Sequence, residues 1–283
     1  MRVPETGSSA RARSTSSWRA PSLRPSSSPY ASEVYGEELG RRLGARHELV
    51  DLARAELPVS GTRIRENPAM QWQFLSAGAR RHLALRVVIV GAESTGKTTL
   101  AAELAARMRA RGGAFERTEW VAEAGREHTE QKLAVLGPGA SMDELVWDTP
   151  DFVSIARLQC QREEEAAARG GPVVVCDTDA FATGIWHERY AGRRDAEVEA
   201  IGRPPAYGLY LLTHPDDVPF EQDGLRDGEH LRAWMTARFV ERLTADGRPW
   251  QWLRGERQPR VERAVAAIDA WLARGWQLAD PLG

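Results

Sequence analysis

The stretch Gly91-Ala92-Glu93-Ser94-Thr95-Gly96-Lys97-Thr98 leaves this chain little freedom in what it can fold into. It spells G-x-x-x-x-G-K-[ST]. The apolar run Val87-Val88-Ile89-Val90 precedes it, and a helix-forming run begins near Thr99. A strand, a glycine-bearing loop and a helix in that order form a cradle for phosphate. Gly91 and Gly96 permit backbone conformations closed to most residues. The amides of Glu93, Ser94, Thr95 and Thr99 can then turn toward phosphate oxygens, and the helix N-terminus adds favourable potential. Lys97 brings a mobile charge to the outer phosphates. The Thr98 hydroxyl is placed for Mg2+. The loop implies a bound nucleotide and does not say what receives the phosphate.

With 283 residues, 42% hydrophobic and 28% charged, the chain can bury one good core and a smaller part beside it. A net charge of -2 provides no basic field for nucleic acid. Cys160 and Cys176 make neither a disulfide framework nor a metal cluster. No apolar run approaches the roughly 20 residues that span a bilayer. The expectation is a soluble protein of the cytoplasm with no membrane partner. Residues 1–29 are rich in Ser and Arg, carry four Pro and have Glu5 as their only acid, which predicts a disordered tail. Residues 76–85 read as a wet linker, 86–274 as the main domain and 275–283 as a second tail. Nothing in the sequence sets an oligomeric state.

Strands are expected near 86–90, 115–121, 173–176, 207–212 and 250–253, with helices between them. That alternation predicts an α/β fold: a P-loop NTPase/kinase-like parallel sheet covered by helices on both faces. Glu119, Glu123 and Arg126 fall at the far end of the second strand or just beyond it, where open sheets bind ligands. A carboxylate there can orient or deprotonate an acceptor hydroxyl, or simply cap a helix. Trp147 either stacks on a flat ring or belongs to the core. Pro172 to Cys176 reads as a buried central strand, with Asp177-Thr178-Asp179 at its end. An acid there holds magnesium in phosphate-loop proteins. Spacing does not say which of the two meets the metal. Residues 222–232 suit a mobile lid, with Arg226 and Arg232 over the donor phosphates.

Val59-Ser60-Gly61-Thr62-Arg63-Ile64-Arg65, followed by Asn67-Pro68, resembles the I-S-G-T-x-I-R motif of nicotinamide mononucleotide adenylyltransferases. Ser32 to Gly36 fit the tail of the same domain. The family's H-x-G-H loop is absent here. Residues 30–75 are therefore expected to be a small, truncated N-terminal α/β segment without adenylyl transfer.

A longer resemblance covers 86 to about 270. The loop with Thr99-Leu100, Trp120 to Arg126, and Asp151-Phe152 with Ile155-Ala156 and Gln159 carry its first half. Asp177-Thr178-Asp179, Thr183 with Trp186, and Val218-Pro219 with Asp223 to Arg226 carry the rest. These segments resemble the ribosylnicotinamide kinase domain of NadR-type bifunctional proteins. The resemblance implies transfer of the ATP γ-phosphoryl group to the 5′-hydroxyl of nicotinamide riboside, a small-molecule nucleoside. It implies Lys97 on the phosphates, Thr98 with the Asp177/Asp179 pair on Mg2+, Glu123 or another acid at the hydroxyl, and Arg226 or Arg232 as caps. Trp147, Asp151 and Trp186 would face the cationic ring. The motifs lack a helix-turn-helix region, so no DNA partner is expected. The loop by itself also allows another nucleoside or nucleotide kinase, or a nucleotide-sensing ATPase.

Overall fold

A computed structural model of the chain describes residues 30–31, 36–223 and 225–278. The expected disordered tail at 1–29 lies outside the described residues. Contacts divide the chain between Pro58 and Val59. In the first unit β1 (Tyr30–Ala31) pairs in parallel with β2 (Glu48–Leu49), and α1 (Gly36–Leu43) connects them. Gly40 is buried against the turn that follows α1, where a Cβ would lie 3.0 Å from the Ala45 carbonyl.

The second unit begins earlier than the sequence implies. α2 (Gly61–Glu66) is capped by Ser60, whose hydroxyl accepts from the Arg63 amide at 3.1 Å. The presumed linker is instead α3 (Ala77–Leu83), capped by Ser76 and packed on the main core. The reason lies in three apolar side chains. Trp72, Leu75 and Leu83 are buried, and the Trp72 indole donates to the Gly170 carbonyl at 2.8 Å. Arg80 reaches back to the Trp72 carbonyl at 3.2 Å, which ties helix to turn. Residues 59–85 thus share the core of the main domain.

β3 (Leu85–Val90) is the sheet's central strand, and all six of its residues are buried. α4 (Lys97–Arg109) follows it. The chain then adds β4 (Glu119–Val121), α5 (Ala124–Leu136), α6 (Thr149–Arg169) and β5 (Val173–Asp177) on one side. α7 (Ala180–Ala191) and α8 (Ala196–Ile201) lead to the other side, where β6 (Gly208–Thr213), α9 (Arg232–Ala245), β7 (Trp250–Leu253) and α10 (Arg257–Arg274) complete it. The order is β4-β5-β3-β6-β7 and every pairing is parallel. The chain reverses direction across the sheet at β3. Its carboxyl end is therefore the switch-point crevice where such sheets bind ligands.

Two boundaries differ from expectation. The second strand starts at Glu119 rather than Phe115. Gly112 and Gly113 take positive φ values of 78° and 58°, and residues 113–117 form a 3-10 turn instead. The end of the chain is also less free than a tail. Trp276 packs against Trp271 at 5.1 Å and donates to the Leu83 carbonyl at 2.6 Å. Among the described residues no helix is long and apolar enough to cross a membrane.

Candidate active site

The loop after β3 is shaped from below. Gly91 has φ +149°, and a Cβ there would stand 2.2 Å from the Thr213 hydroxyl. That hydroxyl bonds the Val90 carbonyl at 3.1 Å and the Thr95 hydroxyl at 2.7 Å. Thr95, fully buried, also donates to the Ala92 carbonyl at 2.9 Å. Its side chain thus anchors the loop to β6 and only its backbone is left for phosphate. Ser94 and Gly96 both adopt left-handed φ, 54° and 77°, which curls the loop into a nest. The Lys97 ammonium rests on the Ala92 carbonyl at 2.8 Å. Gly91→Ala is expected to destabilise the fold by about 2 kcal/mol or more, because overpacking adds to left-handed strain. Urea unfolding checks this, and a stability equal to wild type contradicts it.

The cavity above the loop is about 320 Å³ and is lined by Glu93 to Leu100, Glu123, Arg126, Phe152, Trp186 and Arg226, among others. Glu123 begins α5 but its side chain makes no capping bond. The carboxylate is left to the cavity instead. Removal from water pushes its pKa up, the Lys97 charge pulls it down, and the net shift is upward. Asp177 ends β5 at 1% exposure. Burial raises its pKa too, against Lys97 and the Thr98 hydroxyl. Its Oδ1 is buried with no hydrogen-bond partner.

That orphaned oxygen is the test of a magnesium site. A buried carboxylate oxygen without a donor suits a cation. Asp177 and Thr98 supply a hard oxygen set that leaves places for water and phosphate oxygens, as Mg2+ requires. Asp179 does not join them. It caps α7 by accepting from the Ala182 amide at 2.9 Å, and its other oxygen accepts from the Tyr210 hydroxyl at 2.7 Å. Tyr210 in turn accepts from Arg248 at 2.6 Å. Asp179 is a structural acid, turned away because Thr178 between the two acids takes a left-handed φ of 68°. Thr178 itself lines the cavity.

Part of the cavity wall is aromatic. Trp147 lies 5.6 Å from Phe152 and 5.2 Å from Tyr190, ring centre to ring centre, and all three border the cavity with Trp186. Lys132 sits 5.0 Å from the Trp147 ring, and Arg189 sits 5.0 Å from Trp186 and 4.8 Å from Tyr190. Arg126 borders the cavity and pairs with Asp223 at 3.3 Å. Asp151 is not on the cavity wall. It completes the capping box of α6 and accepts from Lys132 at 2.5 Å and His128 at 2.9 Å, tying α5 to α6. Partial burial pushes its carboxyl up, but these donors hold it below its ordinary value. Glu119 is also elsewhere. It starts β4, at the opposite end of the sheet, and pairs with Arg169 at 3.2 Å. The late start of the strand put it there.

Over the loop, Ser94 accepts from the Glu221 amide at 2.7 Å and from Arg226 at 3.3 Å. Arg226 also bonds the Glu221 carbonyl and lines the cavity. Arg232 does not line it. Its Nη2 donates to the carbonyls of Pro215 at 2.7 Å, Val218 at 2.8 Å and Ser94 at 3.2 Å. Glu93 accepts from the Gly228 amide at 2.8 Å and from Arg189 at 2.9 Å. Arg189 is nearly inaccessible and also pairs with Asp227. A Cβ on Gly228 would fall 2.5 Å from this guanidinium.

Arg189, Glu221, Arg257 and Arg260 escaped the sequence reading. Arg189 and Glu221 carry no local signal. Arg257 and Arg260 did carry one: two cations in the first turn of a helix oppose its dipole.

Residues 86–260 match a family model described as AAA domain. The chain belongs to the AAA domain family. Within that family it is 29% identical over 197 residues to the trifunctional NAD biosynthesis/regulator protein NadR of Escherichia coli (strain K12), covering 69% of this chain and 44% of that protein. The protein of the same description from Salmonella typhimurium is 29% identical over 205 residues, with 72% and 46% covered. The chain thus spans less than half the length of these curated relatives. A crystal structure of NadR protein in complex with NAD and AMP-PNP superposes with a TM-score of 0.61 at 22% identity, covering 86% of this chain and 66% of that one. The fold is shared at that identity. The AAA domain here is homologous to the P-loop kinase domain of NadR.

Proposed function

We propose that the chain phosphorylates the 5′-hydroxyl of nicotinamide riboside with ATP and releases the mononucleotide. The observation that carries the reading is one cavity lined by the phosphate loop with Lys97, by Glu123 and by four aromatic rings, with the buried Asp177 carboxylate beside Lys97 and Thr98. Likeness to NadR over the same residues supports the riboside as acceptor. Residues 59–65, with their adenylyltransferase-like motif, are given no adenylyl transfer in this reading.

The loop amides and Lys97 hold the transferring phosphoryl group and spread its charge. Thr98 and Asp177 would hold Mg2+, which when bound neutralises charge on the phosphate oxygens. Glu123 accepts the hydroxyl proton or aims the hydroxyl at phosphorus. Arg226 borders the phosphates from the lid side. The aromatic wall binds the ring and excludes water, which competes as an acceptor.

A direct test is to incubate the purified protein with ATP, magnesium and nicotinamide riboside and to resolve products by mass. Mononucleotide without dinucleotide is expected. Robust dinucleotide would place adenylyl transfer in this chain, and no product at all would remove the kinase reading. One observation favours a second reading. Lys132 and Arg189 already occupy faces of Trp147, Trp186 and Tyr190, which suits a neutral nucleoside base better than a cationic ring. A nucleoside panel in a coupled ADP assay separates the two.

Glu123 gives a pH dependence. Only the ionised carboxylate accepts a proton, and its pKa lies above the usual carboxylate range. Turnover should therefore fall as pH drops through that raised value. Glu123→Gln should lower kcat by about 10²-fold and abolish this acid limb. A variant that keeps the limb assigns it to another group.

A further inference from the structure

We propose that Arg232 and Arg260 are positioning residues of the phosphate loop, gripping two successive carbonyls so that the next two amides face the phosphate hollow. The proposal rests on the nucleotide reading above and adds two residues to it.

Arg232, at the start of α9, donates to the Ser94 carbonyl at 3.2 Å. Arg260, in the first turns of α10, donates to the Thr95 carbonyl at 2.8 Å. Among the described residues every peptide bond is trans. In a trans peptide the carbonyl of one residue and the N–H of the next point in opposite directions. A grip on the Ser94 carbonyl therefore turns the Thr95 amide the other way. A grip on the Thr95 carbonyl does the same to the Gly96 amide. Neither amide donates within the backbone hydrogen bonds of the described residues. Both are left for an anion in the hollow, next to the amino end of α4.

The fit around Arg260 is close. The residue is 5% exposed, and its Nε is buried without a partner. A Cβ on Gly96 would come within 3.3 Å of its Nη2. The guanidinium thus lies flat against the loop at the residue whose left-handed φ closes the nest. Arg232 is stapled at the same time to Pro215 and Val218, so the loop's shape is tied to the segment that leads into the lid. An arginine suits this task because its planar fork is rigid and its charge persists when partly desolvated. Arg260 also borders the cavity, but the hydrogen bonds that Arg260 and Arg232 give the loop go to its backbone, so both are positioning residues.

The experiment follows individual amides. Protein labelled with 15N is titrated with pyrophosphate in wild type, Arg232→Met, Arg260→Met and Arg260→Lys. In wild type the Thr95 and Gly96 amides are expected to shift together as pyrophosphate binds. In Arg260→Met the Gly96 response should be lost while Thr95 still responds, and in Arg232→Met the reverse. Each loss should weaken pyrophosphate and ATP by roughly 10- to 100-fold, the scale of a charge-assisted hydrogen bond, with the acceptor KM unchanged. Arg260→Lys should recover part of the affinity. A general structural role would not separate the two amides. Wild-type binding in which neither amide moves overturns the proposal, whether or not the variants fold. Equal loss of both responses in either variant overturns it too. If wild-type protein binds neither pyrophosphate nor ATP, the nucleotide reading fails and takes this proposal with it.

Discussion

Lys97→Ala is expected to lower phosphoryl transfer by on the order of 10³-fold while the protein stays folded. Lys97 is the first residue of α4, where a cation opposes the helix dipole. Among the described residues its ammonium donates to the Ala92 carbonyl at 2.8 Å. A lysine placed against the dipole is explained by anions: the Glu123 and Asp177 carboxylates, whose pKa values it lowers, and a phosphate outside the chain. Alanine removes the charge that opposes the dipole and is the best helix former, but it also leaves Glu123 and Asp177 without their nearby cation, so the melting temperature should stay close to wild type. The Michaelis constant for ATP should change less than kcat, because the ammonium acts most on charge that grows in the transition state. Kinetics and thermal unfolding of the same preparation check both halves. Retained turnover removes Lys97 from the chemistry. A fall in the melting temperature assigns it a structural role.

The second large effect separates two acids that the sequence leaves equivalent. Asp177→Asn is expected to reduce kcat by on the order of 10²-fold or more and to leave stability close to wild type. Its Oδ1 has no partner in the fold to lose. Raised magnesium should restore part of the activity, since the variant weakens the metal rather than the loop. Asp179→Ala should do the opposite. It removes the cap of α7 and leaves the buried Tyr210 hydroxyl without its acceptor. The cost is about 2–4 kcal/mol of stability. Turnover per folded molecule should stay within about tenfold, an expectation set by its distance from transition-state charge. Urea unfolding with magnesium-dependent kinetics checks the pair. Equal kinetic defects in both variants would return Asp179 to the metal site.

Much of this protein is legible in local sequence. The phosphate loop is local because its glycines, its lysine and its flanking strand and helix lie within about one turn of chain from each other. The strands Leu85–Val90 and Val173–Asp177 are legible because a strand buried on both faces must be apolar throughout. Ser60 caps α2, where a local hydrogen bond is all that is required.

Other features were decided only by tertiary packing. Trp72 read as part of the small N-terminal segment and Leu83 as part of a joint until the Gly170 carbonyl and the edge of the core meet them. Asp151 looked like a substrate ligand, and Lys132 with His128 took it for the scaffold. Glu119 was misplaced by one glycine pair that shortened a strand. Asp177 and Asp179 stand two residues apart, and a single left-handed φ at Thr178 sends one toward Thr98 and the other toward Tyr210. Arg189 had no mark in the sequence, Arg232 read as a cap on the donor phosphates, and Arg260 showed only as a cation in the first turn of a helix. What sets them apart is a contact made across 96, 138 and 165 residues of chain. Glycine spacing and apolar runs act through backbone conformation and burial, which neighbours in sequence control. The role of a charged side chain depends on which partner the fold brings to it, and that partner is remote.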